Sequence, residues 1–194
     1  MELKHLTKVK DGKYLKNYEL EYENKSGKCK KFEIVSHSEI SSKEQLGTKV
    51  SGVSIVALYE EKLLLLKEFR MGVNRYIYNL CAGMREKGET IEETIHRELH
   101  EETGLYVKEI VDILPPSYAA VAITDVQTQI AIVKAEGNLS DEYLSDNEEI
   151  EARFYTKEEV KELLKTEKFS SRAQVMAYFF SKNGFDNVPS TMKK

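Results

Sequence analysis

Glu98, Glu101 and Glu102 fall at i, i+3 and i+4, the spacing that gathers side chains on one face of a helix. Carboxylates held this closely repel one another, and their pKa values rise. A divalent cation relieves that repulsion, and oxygen-only ligation suits a hard ion such as Mg²⁺. The competing reading is a solvated acidic helix face with no chemistry. Against it stand five further specified positions, Gly83, Arg97, Leu99, Gly104 and Leu105, at set intervals from the three acids.

The acids need a helix to hold them, and the local signals supply one from about Ile91 to Thr103. Thr90 is an N-cap candidate, with Glu93 three residues on to complete a capping box. Ile91, Ile95 and Leu99 recur at four-residue steps and form an apolar stripe for packing. Gly104 is placed to end the helix in a left-handed conformation. Such a helix packs on a sheet and offers its acids at the edge of a cleft.

The stretch from Gly83 to Leu105 resembles the Nudix box, the signature of hydrolases acting on a nucleoside diphosphate linked to another moiety, and meets every fixed position of that motif. The resemblance implies Glu98, Glu101 and Glu102 as ligands of Mg²⁺ (or Mn²⁺), joined by the backbone carbonyl of Ala82. It implies Glu89 as an assisting acid and Arg97 as the residue that pairs with the acids and sets the helix register. For the general base it leaves two candidates, a box glutamate (Glu101 or Glu102) or Asp125 on a later loop. The implied fold belongs to the α/β (α+β) class, an α/β/α sandwich with a mixed sheet.

Elsewhere strands and helices mix without regular alternation. Tyr18, Leu20 and Tyr22 alternate on one strand face, Asn24-Lys25-Ser26-Gly27 marks a turn, and Phe32, Ile34 and Val35 follow, a hairpin. Residues 36–50 are polar and serine-rich, a candidate linker. Val53–Tyr59 and Leu63–Phe69 form another hairpin, and Tyr76–Leu80 a short strand leading into the box. Val107–Ile113, Ile130–Val133 and Glu151–Tyr155 read as strands, Lys157–Lys165 and Ser171–Ser181 as helices. The expected organisation is an N-terminal β extension (1–50), a main domain (51–183) and a loose tail (184–194).

A net charge of −4 from 29 basic and 33 acidic residues, evenly mixed, argues against a nucleic-acid surface. Two cysteines, Cys29 and Cys81, are too few for a disulfide framework. The N-terminus lacks the apolar core of a signal peptide, and the longest apolar run, Leu63 to Leu66, is far short of the roughly 20 residues of a membrane span. A soluble cytoplasmic protein is the expectation.

For the substrate, Glu68-Phe69-Arg70 resembles the strand end of ADP-ribose pyrophosphatases, which reads glutamine-aromatic-arginine, with Glu68 in place of glutamine. Arg70 suits a phosphate oxygen. Tyr76 and Tyr78 are candidates to stack on a base. The N-terminal hairpin also resembles that subfamily and implies a homodimer through these strands. Two departures stand at the box entrance. Asn79 occupies an acidic position, and Cys81, read as a small buried residue, replaces proline. Together with Val121-Ala122-Ile123-Thr124, Cys81 resembles the UDP-sugar pyrophosphatases more closely. The implied substrate is a nucleoside diphosphate sugar, ADP-ribose first and UDP-glucose as the alternative. A non-catalytic binding module is a reading of another class. His96 and His100, at positions the motif leaves free, read as surface residues.

Overall fold

A computed structural model describes residues 1–186. In chain order its elements are β1 (Glu2–Asp11), β2 (Lys16–Glu23), β3 (Cys29–Ser36), a 3₁₀ turn (Lys43–Gln45), β4 (Val50–Tyr59), β5 (Lys62–Arg70), β6 (Arg75–Asn79), β7 (Cys81–Met84), α1 (Ile91–Thr103), β8 (Tyr106–Ile113), β9 (Ser117–Tyr118), β10 (Gln127–Glu136), β11 (Ile150–Tyr155), α2 (Lys157–Thr166) and α3 (Ser171–Ser181). The described residues form two compact units, Met1–Ser51 with Pro116–Thr128, and Gly52–Pro115 with residues 129–186. Among the described residues no helix is long and apolar enough to cross a membrane.

In the first unit the expected hairpin is β2–β3, and β1 adds an antiparallel third strand on the other side of β2. The Asn24 side chain caps the turn by accepting from the N–H groups of Ser26 and Lys28. β1 escapes a periodicity search for a physical reason. Register shifts between Leu3 and His5 and between Lys8 and Lys10 break its alternation, so Leu3 and Leu6 reach the same core at an odd spacing. Residues 36–50 are not a free linker. Ile40 is buried, and its N–H donates to the buried Tyr18 hydroxyl. Pro116–Thr128 also joins this unit, where the Val35 N–H donates to the Ile123 carbonyl. A linear division of the chain at residue 50 does not capture that return.

The second unit is built on a sheet ordered β11-β5-β4-β10-β8, with β6 on β5 and β7 on β4. Strand alternation sorts the side chains onto two faces. Val53, Ile55, Ala57, Leu64, Leu66 and Val133 pack against Ile95 and Leu99 of α1. Val56, Leu63, Leu65 and Ile132 pack against Val160 of α2 and Ala173, Ala177 and Phe180 of α3. This is the expected α/β/α sandwich. Burial on both faces explains why Leu63 to Leu66 reads as a continuous apolar run. Phe185 is buried against Phe179 and Phe180, so the expected tail is packed at its start. The remainder of that tail, residues 187–194, lies outside the described residues.

Candidate active site

The helix carrying the acids forms as its local signals require. Thr90 Oγ1 accepts from the Glu93 N–H at 3.2 Å, and the Glu93 carboxylate accepts from the Thr90 N–H at 2.7 Å. Gly104 closes the helix at φ 74°, its N–H donating to the His100 carbonyl. The apolar stripe clamps α1 to the sheet, which brings the acids against β7.

Gly83 on β7 is fixed by close approach. A Cβ there would lie 1.7 Å from the Glu98 carboxyl carbon. The missing side chain is the space that the Glu98 carboxylate occupies. The neighbouring Ala82 donates its N–H to Glu102 Oε2 at 3.1 Å. Two consecutive β7 residues thus receive two acids of the helix.

Arg97 is the hub of the charged network. Nε and Nη2 grip both oxygens of Glu89 at 2.7 and 3.0 Å, and Nη1 donates to Glu98 at 2.8 Å and Glu101 at 3.0 Å. Nη2 also donates to the Met84 carbonyl at 2.9 Å, which ties α1 to the end of β7. The fork of a guanidinium makes this possible where an ammonium would not. Arg97 and the Glu86 N–H hold the Glu89 carboxyl down at about 2. Held in its ionised form by these donors, Glu89 orients Arg97.

The three ligand candidates sit in different surroundings. Glu98 is raised by burial, against the pull of Arg97. Glu102 is pushed up to about 8, first by burial and also by Glu98 and Glu68, despite hydrogen bonds from Cys81 and Ala82. The Glu101 side chain is half-exposed, with 51% of its surface accessible. Cys81 is fully buried, as expected, and burial beside Glu102 raises its thiol well above the ordinary value. It is a structural thiol rather than a reactive one.

Among the described residues no three His, Cys, Asp or Glu side chains are gathered closely enough to hold a metal ion as they stand. Arg97 engages Glu98 and Glu101 instead. The donor set nevertheless fits a hard divalent cation. It consists of oxygens alone, and Glu102 is a largely enclosed carboxylate with no salt bridge among the described residues.

Glu98, Glu102, Ala82 and Gly83 line a cleft of about 430 Å³ together with Glu68, Arg70 and the 147–150 segment. Arg70 therefore shares a cavity with Glu98 and Glu102. Tyr76 is half-exposed, stands edge-on to Phe69 at 5.4 Å and donates its hydroxyl to Glu149. Tyr78 is a correction. Its ring is buried, stacked on Phe169 at 5.3 Å and edge-on to Tyr155 at 5.9 Å, so no face is left for a base. The reason is that β6 buries its far end under α3. His100 is not a plain surface residue either, because its ring lies between Tyr106 and Tyr143 at 4.6 and 4.4 Å. His96 is exposed.

Asp125 belongs to the first unit. Its Oδ2 accepts from the Gly47 N–H at 3.2 Å, and its Oδ1 is buried without a hydrogen-bond partner. It lines a small cavity of about 230 Å³ with Tyr22, Phe32, Tyr118 and Thr124. Two contributors to the main cleft had no usable sequence signal. Glu68 read only as a departure from a motif, and the 147–150 segment lies in an acidic loop that resembles any solvated one.

The NUDIX domain model matches residues 48–179. The chain belongs to the NUDIX domain family. This NUDIX chain is 36% identical over 103 residues to the ADP-ribose pyrophosphatase of Bacillus subtilis (strain 168), an alignment covering 53% of the chain and 49% of that protein. It is 29% identical over 130 residues to the ADP-sugar pyrophosphatase of Mus musculus, covering 67% and 59%. The chain thus spans about half to three-fifths of the length of these relatives. A solved structure titled as an ADP compounds hydrolase matches 95% of the NUDIX chain and 94% of its own, with a TM-score of 0.75 and 18% identity. That likeness establishes the fold.

Proposed function

We propose that this NUDIX chain is a Mg²⁺-dependent pyrophosphohydrolase of nucleoside diphosphate sugars, with ADP-ribose as its first substrate and AMP and ribose 5-phosphate as products. The observation that carries the reading is the shared cleft, in which a guanidinium (Arg70) meets the box carboxylates Glu98 and Glu102. The names of the relatives, an ADP-ribose and an ADP-sugar pyrophosphatase, support the substrate class.

Glu98, Glu101 and Glu102, with the Ala82 carbonyl, would hold Mg²⁺ or Mn²⁺, which supplies charge neutralisation at the diphosphate and a lowered water pKa. The chain's own groups do the rest. Arg70 takes a phosphate oxygen and orients the diphosphate. Arg97, fixed by Glu89, holds the carboxylates of Glu98 and Glu101. Asp125 is the candidate general base outside the box, with Glu101 and Glu102 as the candidates within it. Tyr76, held by Glu149, is the remaining stacking candidate. The N-terminal strands are the proposed homodimer surface, supported by exposed Val9, Tyr14, Leu15 and Phe32. A cytoplasmic location suits the free cysteines.

The test is turnover of ADP-ribose, UDP-glucose, NADH and dinucleoside polyphosphates with Mg²⁺ or Mn²⁺. ADP-ribose is expected to be cleaved best. Glu101→Gln should lower kcat by more than about 100-fold, beyond the loss typical of outer-shell partners of a metal. No turnover on the panel refutes the enzymatic reading and favours a binding module.

A further inference from the structure

We propose that Glu68 is a specificity-determining residue that accepts a hydrogen bond from a hydroxyl of the sugar joined to the diphosphate. This rests on the nucleoside diphosphate sugar reading above. Glu68 lies outside the box, on β5, yet it lines the same cleft as Glu98 and Glu102 and is only 5% exposed. Burying a carboxylate is costly unless it is paired and hydrogen-bonded.

One half of Glu68 is accounted for. Oε1 accepts from Asn79 Nδ2 at 2.6 Å. In the β5–β6 register Glu68 stands opposite Ile77, so Asn79 is its diagonal neighbour on the same face. Asn79 is itself held, because its Oδ1 accepts from Ser170 Oγ, and Ser170 is the N-cap of α3. This chain, anchored in a helix terminus, fixes the carboxylate. The Asn79 that departs from the acidic pattern and the Glu68 that departs from glutamine are thus one hydrogen-bonded pair with the charge on the β5 side.

The other half is underused. Oε2 is 3.5 Å from Arg70 Nη1, longer than the roughly 2.7–2.9 Å of a charge-assisted hydrogen bond, and it keeps lone pairs for another donor. The Arg70 side chain is more than half exposed, with donors free for an anion. An acceptor beside a guanidinium fits a ligand that offers an O–H next to a phosphate oxygen. The junction of a sugar and its phosphate has that arrangement.

The test uses calorimetry with Mg²⁺ and two non-hydrolysable probes, α,β-methylene ADP-ribose and the propyl ester of α,β-methylene ADP, which lacks the sugar hydroxyls. The wild type should bind the sugar probe about 10- to 100-fold more tightly, the range of a hydrogen bond to a charged group. In Glu68→Gln the amide oxygen stays with Asn79 and the NH₂ turns to the cleft, so a charged acceptor becomes a neutral donor to the hydroxyl oxygen. The preference should then fall to about 2- to 10-fold, the range of a hydrogen bond between neutral groups, with propyl-ester and Mn²⁺ affinities unchanged. Asn79→Ala, which keeps the charge and loses the orientation, should reduce the preference about 3- to 10-fold, and it carries the test if Glu68→Gln does not fold. An unchanged preference in either folded variant overturns the proposal alone. Lost Mn²⁺ affinity in Glu68→Gln overturns it in favour of a metal ligand. A wild type that does not bind the sugar probe overturns both this proposal and the substrate reading beneath it.

Discussion

Glu102→Gln in the metal-free protein isolates the cost of a buried carboxylate. Glu102 is pushed up to about 8 from an ordinary 4.5, chiefly by burial, so the folded state favours its protonated form. A raised folded-state pKa contributes stability that is complete below about pH 4.5 and is lost as the pH climbs to about 8. At about 1.4 kcal/mol per unit, the full shift corresponds to a ceiling of about 5 kcal/mol. Relaxation and water entry around a real buried ion bring the expected loss to about 2–4 kcal/mol. Glutamine mimics the protonated acid, keeping an oxygen for the Ala82 N–H and carrying no charge. Melting in EDTA, followed by circular dichroism from about pH 5 to 8.5, should therefore show two curves that start together and separate. At a slope of about 2–4 °C per kcal/mol for a chain of this size, the variant should melt about 5–10 °C above the wild type at the alkaline end. Saturating Mg²⁺ should close most of that gap by raising the wild type alone, since about 100 Kd of ligand is worth about 2.7 kcal/mol. Parallel curves across the whole pH range would refute the argument that Glu102 is a strained, uncompensated acid.

Three further perturbations separate the remaining roles. Gly83→Ala places a Cβ 1.7 Å from the Glu98 carboxyl carbon, so melting should drop by the equivalent of about 1–3 kcal/mol and turnover should collapse; wild-type turnover would show that Glu98 can be displaced without consequence. Arg97→Lys keeps the charge but cannot grip Glu89 at both oxygens while reaching Glu98 and Glu101, and kcat should fall about 10- to 100-fold with KM little changed; full activity would reduce Arg97 to a surface pair. Asp125→Asn should lower kcat by about 100-fold or more with little change in melting, because a buried carboxylate oxygen without a partner is better explained by function than by support. Retained activity would place proton removal within the box.

How legible the molecule was depends on whether each signal is local. Helix α1 could be read because its cap, its apolar stripe and its glycine stop all act within a few residues. The β4–β5 hairpin was equally plain, since both strands are apolar runs around a short polar turn. Strand β1 was not, because its bulges destroy the alternation that identifies a strand. Strand β7 was hidden too, being only four residues, of which Cys81, Ala82 and Gly83 are small. Tyr76 and Tyr78 are equivalent by type and spacing, yet α3 covers one and leaves the other half-exposed.

The sequence by itself determined the chemistry on offer. Acids spaced i, i+3 and i+4 on a capped helix must share a face, because helical geometry is a short-range property. Only the tertiary structure decided what those acids experience. Glu101 and Glu102 are chain neighbours, yet one is half in solvent and the other is enclosed against Cys81 and Ala82, some twenty residues earlier. Burial, and with it the energy of a charge, depends on which distant segments fold over a group, and adjacency along the chain carries no record of that.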